Sequence, residues 1–286
     1  MDKLVSTEWL AEELGTDDLV VTDDLVVVDA TSHLPNAGRD PVTEYAEAHV
    51  PGARFLGLAS LKDLSSPVPA ALPTREQLEA RLRDIGVNAG NRIVLYDDSA
   101  VKTSARAWFM LRHHGYDNVA ILDGGIAKWR AEGRPLESDE VGAAAGDISL
   151  RETRDNVRTK DEMVTNIGSG AFQVLDARDH GRFTGATEDT IHNLPTGHIP
   201  GSRNLPFGQL FAEDGTYLPP AELAQAFAEA GIDLDQPLAT TCGSGVTASV
   251  LLFAAALLGK DGSLYDGSWS EWGADPDTPK ATGAAA

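Results

Sequence analysis

The sequence predicts an α/β protein built from two tandem copies of one domain, each a parallel sheet flanked by helices. At 286 residues the chain exceeds what one hydrophobic core usually organises, so two domains of about 140 residues each are expected. The halves repeat. Val26-Val27-Val28-Asp29-Ala30 returns as Gln173-Val174-Leu175-Asp176-Ala177, and His49-Val50-Pro51-Gly52-Ala53 as His198-Ile199-Pro200-Gly201-Ser202. Further on, Arg92-Ile93-Val94-Leu95-Tyr96 corresponds to Pro237-Leu238-Ala239-Thr240-Thr241, and Asp123 to Trp129 corresponds to Asp266 to Trp272. Four matches in the same order at nearly constant spacing mark a duplicated domain. Within each half, short apolar runs alternate with helical patterns, as strands joined by helices require.

Leu25 to Val28, Ile93 to Tyr96 and Val119 to Leu122 are bounded by turn formers and rich in β-branched residues, which suits buried parallel strands. Pro73 to Leu82 reads as a capped amphipathic helix and Ser104 to Arg112 as another. The apolar run Ala248 to Leu258 is far too short to span a bilayer, which takes about 20 residues, and reads as a buried helix. The domains are expected at residues 1–136 and 151–273. A linker at 137–150 joins them, because Glu137 to Asp147 is rich in Ala, Gly and acidic residues and has no apolar period. The tail, 274–286, is expected to fray or to close the fold.

Hydrophobic residues at 42% and charged residues at 23% are ordinary for a globular protein. The formal charge of −21 repels nucleic acid and anionic membranes, so neither is expected as a partner, and an anionic substrate must be held by local geometry. Met1-Asp2-Lys3-Leu4 lacks the basic start and apolar stretch of a signal peptide, which gives a cytoplasmic expectation. A duplicated domain has no need of a partner copy, and a monomer is expected.

One cysteine, Cys242, excludes an internal disulfide, and with seven scattered His it excludes a cysteine-based zinc site. Free cysteines are most often small buried hydrophobes. The surroundings of Cys242 favour chemistry instead. Leu238-Ala239-Thr240-Thr241-Cys242-Gly243-Ser244-Gly245-Val246-Thr247-Ala248 runs from a strand through a glycine-rich turn into a helix, the place where ligands bind in open α/β sheets. Backbone N–H groups at Gly243, Gly245, Val246 and Thr247, with the positive end of the helix, lower the pKa of a thiol and cradle an anionic product or persulfide.

At these residues the chain resembles the tandem rhodanese family, and in particular its 3-mercaptopyruvate sulfurtransferase branch. Besides Cys242-Gly243-Ser244-Gly245-Val246-Thr247-Ala248, the resemblance rests on Asp176-Ala177-Arg178, Gly181-Arg182-Phe183, Gly197-His198-Ile199-Pro200-Gly201 and Tyr265 to Trp272. It implies two rhodanese-like domains, the second active and the first without its nucleophile. Asp97-Asp98-Ser99 stands where the first half would present one, and a carboxylate cannot carry sulfane sulfur. It also implies a double displacement: Cys242 takes sulfur from a small donor as a persulfide and passes it to cyanide or to a thiol acceptor such as a thioredoxin-like protein. Arg182 matches the arginine that binds the donor's anionic group, with a surface ion pair as its plainer role. Ser244 matches a serine assigned to proton transfer, with helix capping as the alternative.

The chain also departs from the family. The second donor-binding arginine falls near Ile191, and the aspartate and histidine that work with the serine fall at Ala59 and Ala70. A proton relay therefore needs His192 or another residue to substitute, which the sequence does not decide. Loop identity favours mercaptopyruvate as donor over thiosulfate, whose specialists place basic residues directly after the cysteine. A sulfur-relay module that receives persulfide from one protein and hands it to another is the non-enzymatic alternative. A cysteine phosphatase would need an arginine where Ala248 stands. His49 and His198 recur in both halves, so a structural role is expected for the pair, as for Trp129 and Trp272.

Overall fold

The computed structural model describes residues 1–15, 24–138, 142–151 and 153–285. The chain divides into two compact units. The first comprises Met1–Lys62, Pro73–Arg154 and Ala212–Tyr217; the second comprises Asp63–Leu72, Asp155–Phe211 and Leu218–Ala286.

The first unit runs β1 (Leu4–Val5), α1 (Thr7–Leu14), β2 (Leu25–Asp29), α2 (Pro41–Glu47), β3 (Arg54–Phe55), α3 (Arg75–Asp84), β4 (Arg92–Tyr96), α4 (Ser104–His113), β5 (Val119–Leu122) and α5 (Gly125–Ala131). Its sheet has the order β1-β5-β4-β2-β3, with every pairing parallel. The second unit repeats the scheme with β6 (Val157–Arg158), α6 (Lys160–Ser169), β7 (Gln173–Asp176), α7 (His180–Thr184), β8 (Arg203–Asn204), α8 (Pro220–Glu229), β9 (Leu238–Thr241), α9 (Val246–Leu257), β10 (Ser263–Tyr265) and α10 (Ser268–Trp272). Its order, β6-β10-β9-β7-β8, is the same, again all parallel.

Parallel strands need crossover connections, and helices supply them here, so both faces of each central strand are covered. β2 and β9 are accordingly buried along their whole lengths. Thr74 and Gln77 form a capping box at the start of α3, and Thr159 and Glu162 form one at α6, each pair satisfying N–H groups that the first turn leaves unbonded. α9 is apolar on nearly every face and buried from Ala248 to Ala256, as a helix enclosed by its own domain must be.

The stretch expected to be a linker is largely built into the first unit. Glu137 and His49 exchange backbone hydrogen bonds at 2.9 Å, Gly146 and Ile148 donate to the carbonyls of Arg83 and Val87, and Ile148 and Leu150 are buried. Residues 139–141 of that stretch lie outside the described ones. The tail closes the second unit in a matching way: Ala281 bridges His198 as Glu137 bridges His49, and Trp272 Nε1–H donates to Pro279 O as Trp129 Nε1–H does to Pro135 O. His49 stacks on Tyr45 and bonds its carbonyl through Nδ1. His198 stacks on Phe183 at 3.9 Å and bonds that residue's carbonyl in the same way. Both histidines thus fasten a loop to a helix.

Among the described residues no helix is long and apolar enough to cross a membrane, and no group of three or more His, Cys, Asp or Glu side chains is placed to hold a metal ion.

The aspartates that end β2 and β7 differ between units. Asp176 is paired with Arg178, whereas position 31, the counterpart of Arg178, is a threonine that gives Asp29 only hydrogen bonds. Burial therefore pushes the Asp29 carboxyl up to about 6, against the smaller opposing effect of Thr31. The folded state keeps this proton to higher pH than the unfolded chain, so the stability is present below about pH 4 and is lost as pH rises towards 6, by up to about 3 kcal/mol. Asp29→Asn removes this dependence: the melting temperature of the variant minus that of the parent should rise between pH 4 and pH 7.

Candidate active site

Cys242 follows β9 directly and is 2% exposed. Both backbone polar groups of the residue are fixed by α10 and its first residue. Its N–H donates to Ser268 Oγ at 3.1 Å, and its carbonyl accepts from the Trp269 N–H at 2.9 Å. The next carbonyl, of Gly243, accepts from both the N–H and the hydroxyl of Ser270. Ser268 adopts φ 48°, a left-handed conformation unfavourable for a residue with a Cβ; its hydroxyl also donates to Tyr265 O. That strain sits where the hydroxyl anchors the nucleophile's amide.

Gly245 turns the chain into α9 at φ 79°. Without a side chain it cannot cap the helix, and α9 has no side-chain cap. The first N–H groups of the helix, from Val246 and Thr247, therefore have no acceptor within it and form the kind of helix end that binds anions, four residues after Cys242. Ser244 is half-buried and does not cap α9, so capping is not what the residue does.

Behind the loop lies Arg178, 1% exposed. Its guanidinium grips Asp176 through Nε and Nη2, donates to Gly197 O at 2.7 Å, and lies 4.4 Å from the centre of the Trp269 ring. Burial works against its charge, but Asp176, with lesser contributions from Cys242 and Asp189, more than reverses that and holds its pKa above the ordinary arginine value. A permanent cation thus lies inside the domain within electrostatic reach of Cys242, and its Nη1 has no hydrogen-bond partner among the described residues. The sequence motif marked Arg178 without giving it a role; the structure places its charge within electrostatic reach of Cys242.

Arg182, on α7, is partly buried. Its Nε donates to Asp179 and its Nη1 lies 3.9 Å from Asp189. Asp189 is buried and accepts from the backbone N–H groups of Ile191 and His192, and its oxygens lie 3.1 and 3.2 Å from Nδ1 of His192. Burial alone would raise its pKa, yet His192 and Arg182 bring it down to about 2. The His192 ring rests on Gly243: a Cβ at Gly243 would lie 2.2 Å from its Cε1, closer than any real contact. Ile191 contributes only its backbone to this cluster, and the methyl groups of Ala59 and Ala70 can move no proton.

The first unit holds the counterpart of this loop. Ile126 N–H reaches Asp97 O as Trp269 N–H reaches Cys242 O, and Gly125, at φ 58°, takes the place of Ser268. The Asp97 carboxylate accepts from the N–H groups of Ser99 and Ser104, both at 2.8 Å, filling its own cradle.

Arg178→Met would leave Asp176 buried without its partner and should cost about 3–5 kcal/mol in denaturant unfolding, whereas replacing both residues with apolar ones should recover most of that loss.

Comparison with known proteins agrees with this geometry. Residues 6–132 and 159–275 each match the rhodanese-like domain. The chain is 36% identical over 272 residues to mouse 3-mercaptopyruvate sulfurtransferase, covering 94% of this chain and 91% of that one. It is 37% identical to thiosulfate sulfurtransferase of Cricetulus griseus, covering 98% and 95%. The crystal structure of SseA from Escherichia coli, described as a 3-mercaptopyruvate sulfotransferase, superposes with a TM-score of 0.83 at 34% identity, over 95% of this chain and all of that one. With a duplicated parallel sheet, a strand-loop-helix cradle in each unit and a family match over both halves, the chain belongs to the rhodanese-like family, with two such domains in tandem.

Proposed function

We propose that this protein is a sulfurtransferase that moves sulfane sulfur from 3-mercaptopyruvate to a thiol or cyanide acceptor through a persulfide on Cys242. The observation that carries this reading is the setting of Cys242 itself. A buried thiol, clamped by α10 and backed by the Arg178 cation, stands at the uncapped start of α9, where its thiolate and the terminal sulfur of a persulfide are both stabilised. The thiolate attacks the donor's sulfur; the backbone at Gly243, Gly245, Val246 and Thr247 cradles the anion between the two half-reactions.

Arg182 is proposed to receive the donor's carboxylate, with Asp179 and Asp189 fixing its guanidinium. Ser244, half-exposed beside the nucleophile, is proposed to hydrogen-bond the donor and assist its proton transfer. The first unit serves as scaffold, because Asp97 occupies the nucleophile's seat. Neither metal nor organic cofactor enters this scheme, and we place the protein in the cytoplasm as a monomer. Thiosulfate is the second donor to consider: a relative carrying that activity in its name is as similar as those named for mercaptopyruvate.

The test is steady-state transfer to cyanide with each donor. Cys242→Ser should lower turnover with either donor by roughly a thousand-fold or more, and mass spectrometry should find one added sulfur atom on the donor-treated parent but not on the variant. Arg182→Ala should raise the KM for mercaptopyruvate by about tenfold, the loss of one charge-assisted contact. Full activity in Cys242→Ser would end the reading.

A further inference from the structure

We infer that His192, held by Asp189, is the acid that protonates the carbon leaving group when mercaptopyruvate gives up its sulfur; this rests on the sulfurtransfer reading above. Three observations on the second unit support it.

The first is contact. Gly243, the residue after the nucleophile, does not need glycine for its backbone conformation, since its φ lies outside the left-handed region. It needs glycine for space. A Cβ there would lie 2.2 Å from Cε1 and 2.8 Å from Nε2 of His192, so the imidazole lies directly on the nucleophile's loop. The second is orientation. Asp189 is ionised at any working pH, since His192 and Arg182 outweigh its burial and hold its pKa at about 2. Both of its oxygens face Nδ1 of His192. That arrangement keeps a proton on Nδ1 and leaves Nε2 as the nitrogen that exchanges protons. The His192 side chain retains 19% of its exposure, enough for a small substrate to reach it.

The third is the chemistry of the leaving group. When Cys242 thiolate attacks the sulfur of mercaptopyruvate, an S–S bond forms and the C–S bond breaks. Its electron pair passes to the methylene carbon as an enolate, a poor leaving group unless a proton arrives with it. Imidazolium Nε2–H supplies that proton, giving pyruvate and Cys242–S–SH. The neutral ring then takes the proton of the incoming acceptor thiol, and the acceptor thiolate attacks the outer sulfur of Cys242–S–SH; the S–S bond to Cys242 breaks, the acceptor leaves as its own persulfide, and the Cys242 thiolate and the imidazolium are restored. Atoms and charge balance with no oxidant or reductant. Thiosulfate leaves sulfite, a stable anion that needs no proton, so this acid is required for one donor and not the other. His192 is then a catalytic residue and Asp189 a positioning residue.

The experiment compares His192→Gln and Asp189→Asn with the parent, in the full chain, on both donors with cyanide as acceptor. The expected result is that His192→Gln lowers kcat/KM for mercaptopyruvate by roughly a hundredfold or more while its thiosulfate turnover changes by no more than about threefold. Asp189→Asn, which also loosens Arg182, lowers turnover with both donors but lowers it more for mercaptopyruvate. Retained thiosulfate turnover certifies the fold and the cradle of His192→Gln. Unchanged mercaptopyruvate turnover in His192→Gln overturns the inference, as does an equal loss with both donors in that variant, which would make the ring a structural prop. A parent that turns over neither donor removes the sulfurtransfer reading and this inference together; a parent active only on thiosulfate removes the inference alone.

Discussion

The buried pairing of Arg178 with Asp176 is the constraint on which the second unit's site depends. A guanidinium taken out of water costs several kcal/mol unless its charge and donors are matched. Asp176 matches the charge, Gly197 accepts one donor, and the face of Trp269 covers the plane. These partners come from β7, from the loop before His198 and from α10, so one side chain ties together the end of a central strand, the segment that pairs with the closing tail, and the helix that clamps Cys242. The loop's geometry is thus fixed before any substrate arrives, which is the condition for electrostatic stabilisation without reorganisation.

Duplication supplies an internal comparison. Both units share one strand order and one way of fastening a histidine to a closing segment, yet the side chains that surround Cys242 in the second have no like counterparts in the first. Threonine replaces the buried arginine and burial pushes the Asp29 carboxyl up to about 6; Gly125 replaces the strained Ser268; Asp97 replaces the thiol. The scaffold survives without the site because sheet pairing and core burial do not depend on those side chains.

Much of this was legible in the sequence. Repeated strand motifs, the buried helix and the glycine-rich loop around Cys242 all depend on local pattern, and local pattern is what a sequence displays. The strands of two residues, β1, β3, β6 and β8, are too short to carry a period. Glu137 pairs with His49 through its backbone and accepts from the Gly52 N–H with its carboxylate, and neither contact leaves an apolar period to mark the supposed linker as part of a domain. The approach of His192 to Gly243 joins segments far apart along the chain, and only the tertiary fold brings them together. A signal existed in hindsight: a glycine directly after a nucleophile, where no left-handed turn occurs, reserves room for something.

The carboxylate of Asp97 has a consequence for stoichiometry. Clasped by two N–H groups of its own loop, it is a resident anion that no diffusing anion can displace without unmaking the chain. Under the sulfur transfer proposed above, the molecule is a single-berth vessel, with one thiol to which sulfur can be covalently moored. Traffic through it would then alternate, each arrival waiting on the last departure, and its capacity would not rise with the number of domains.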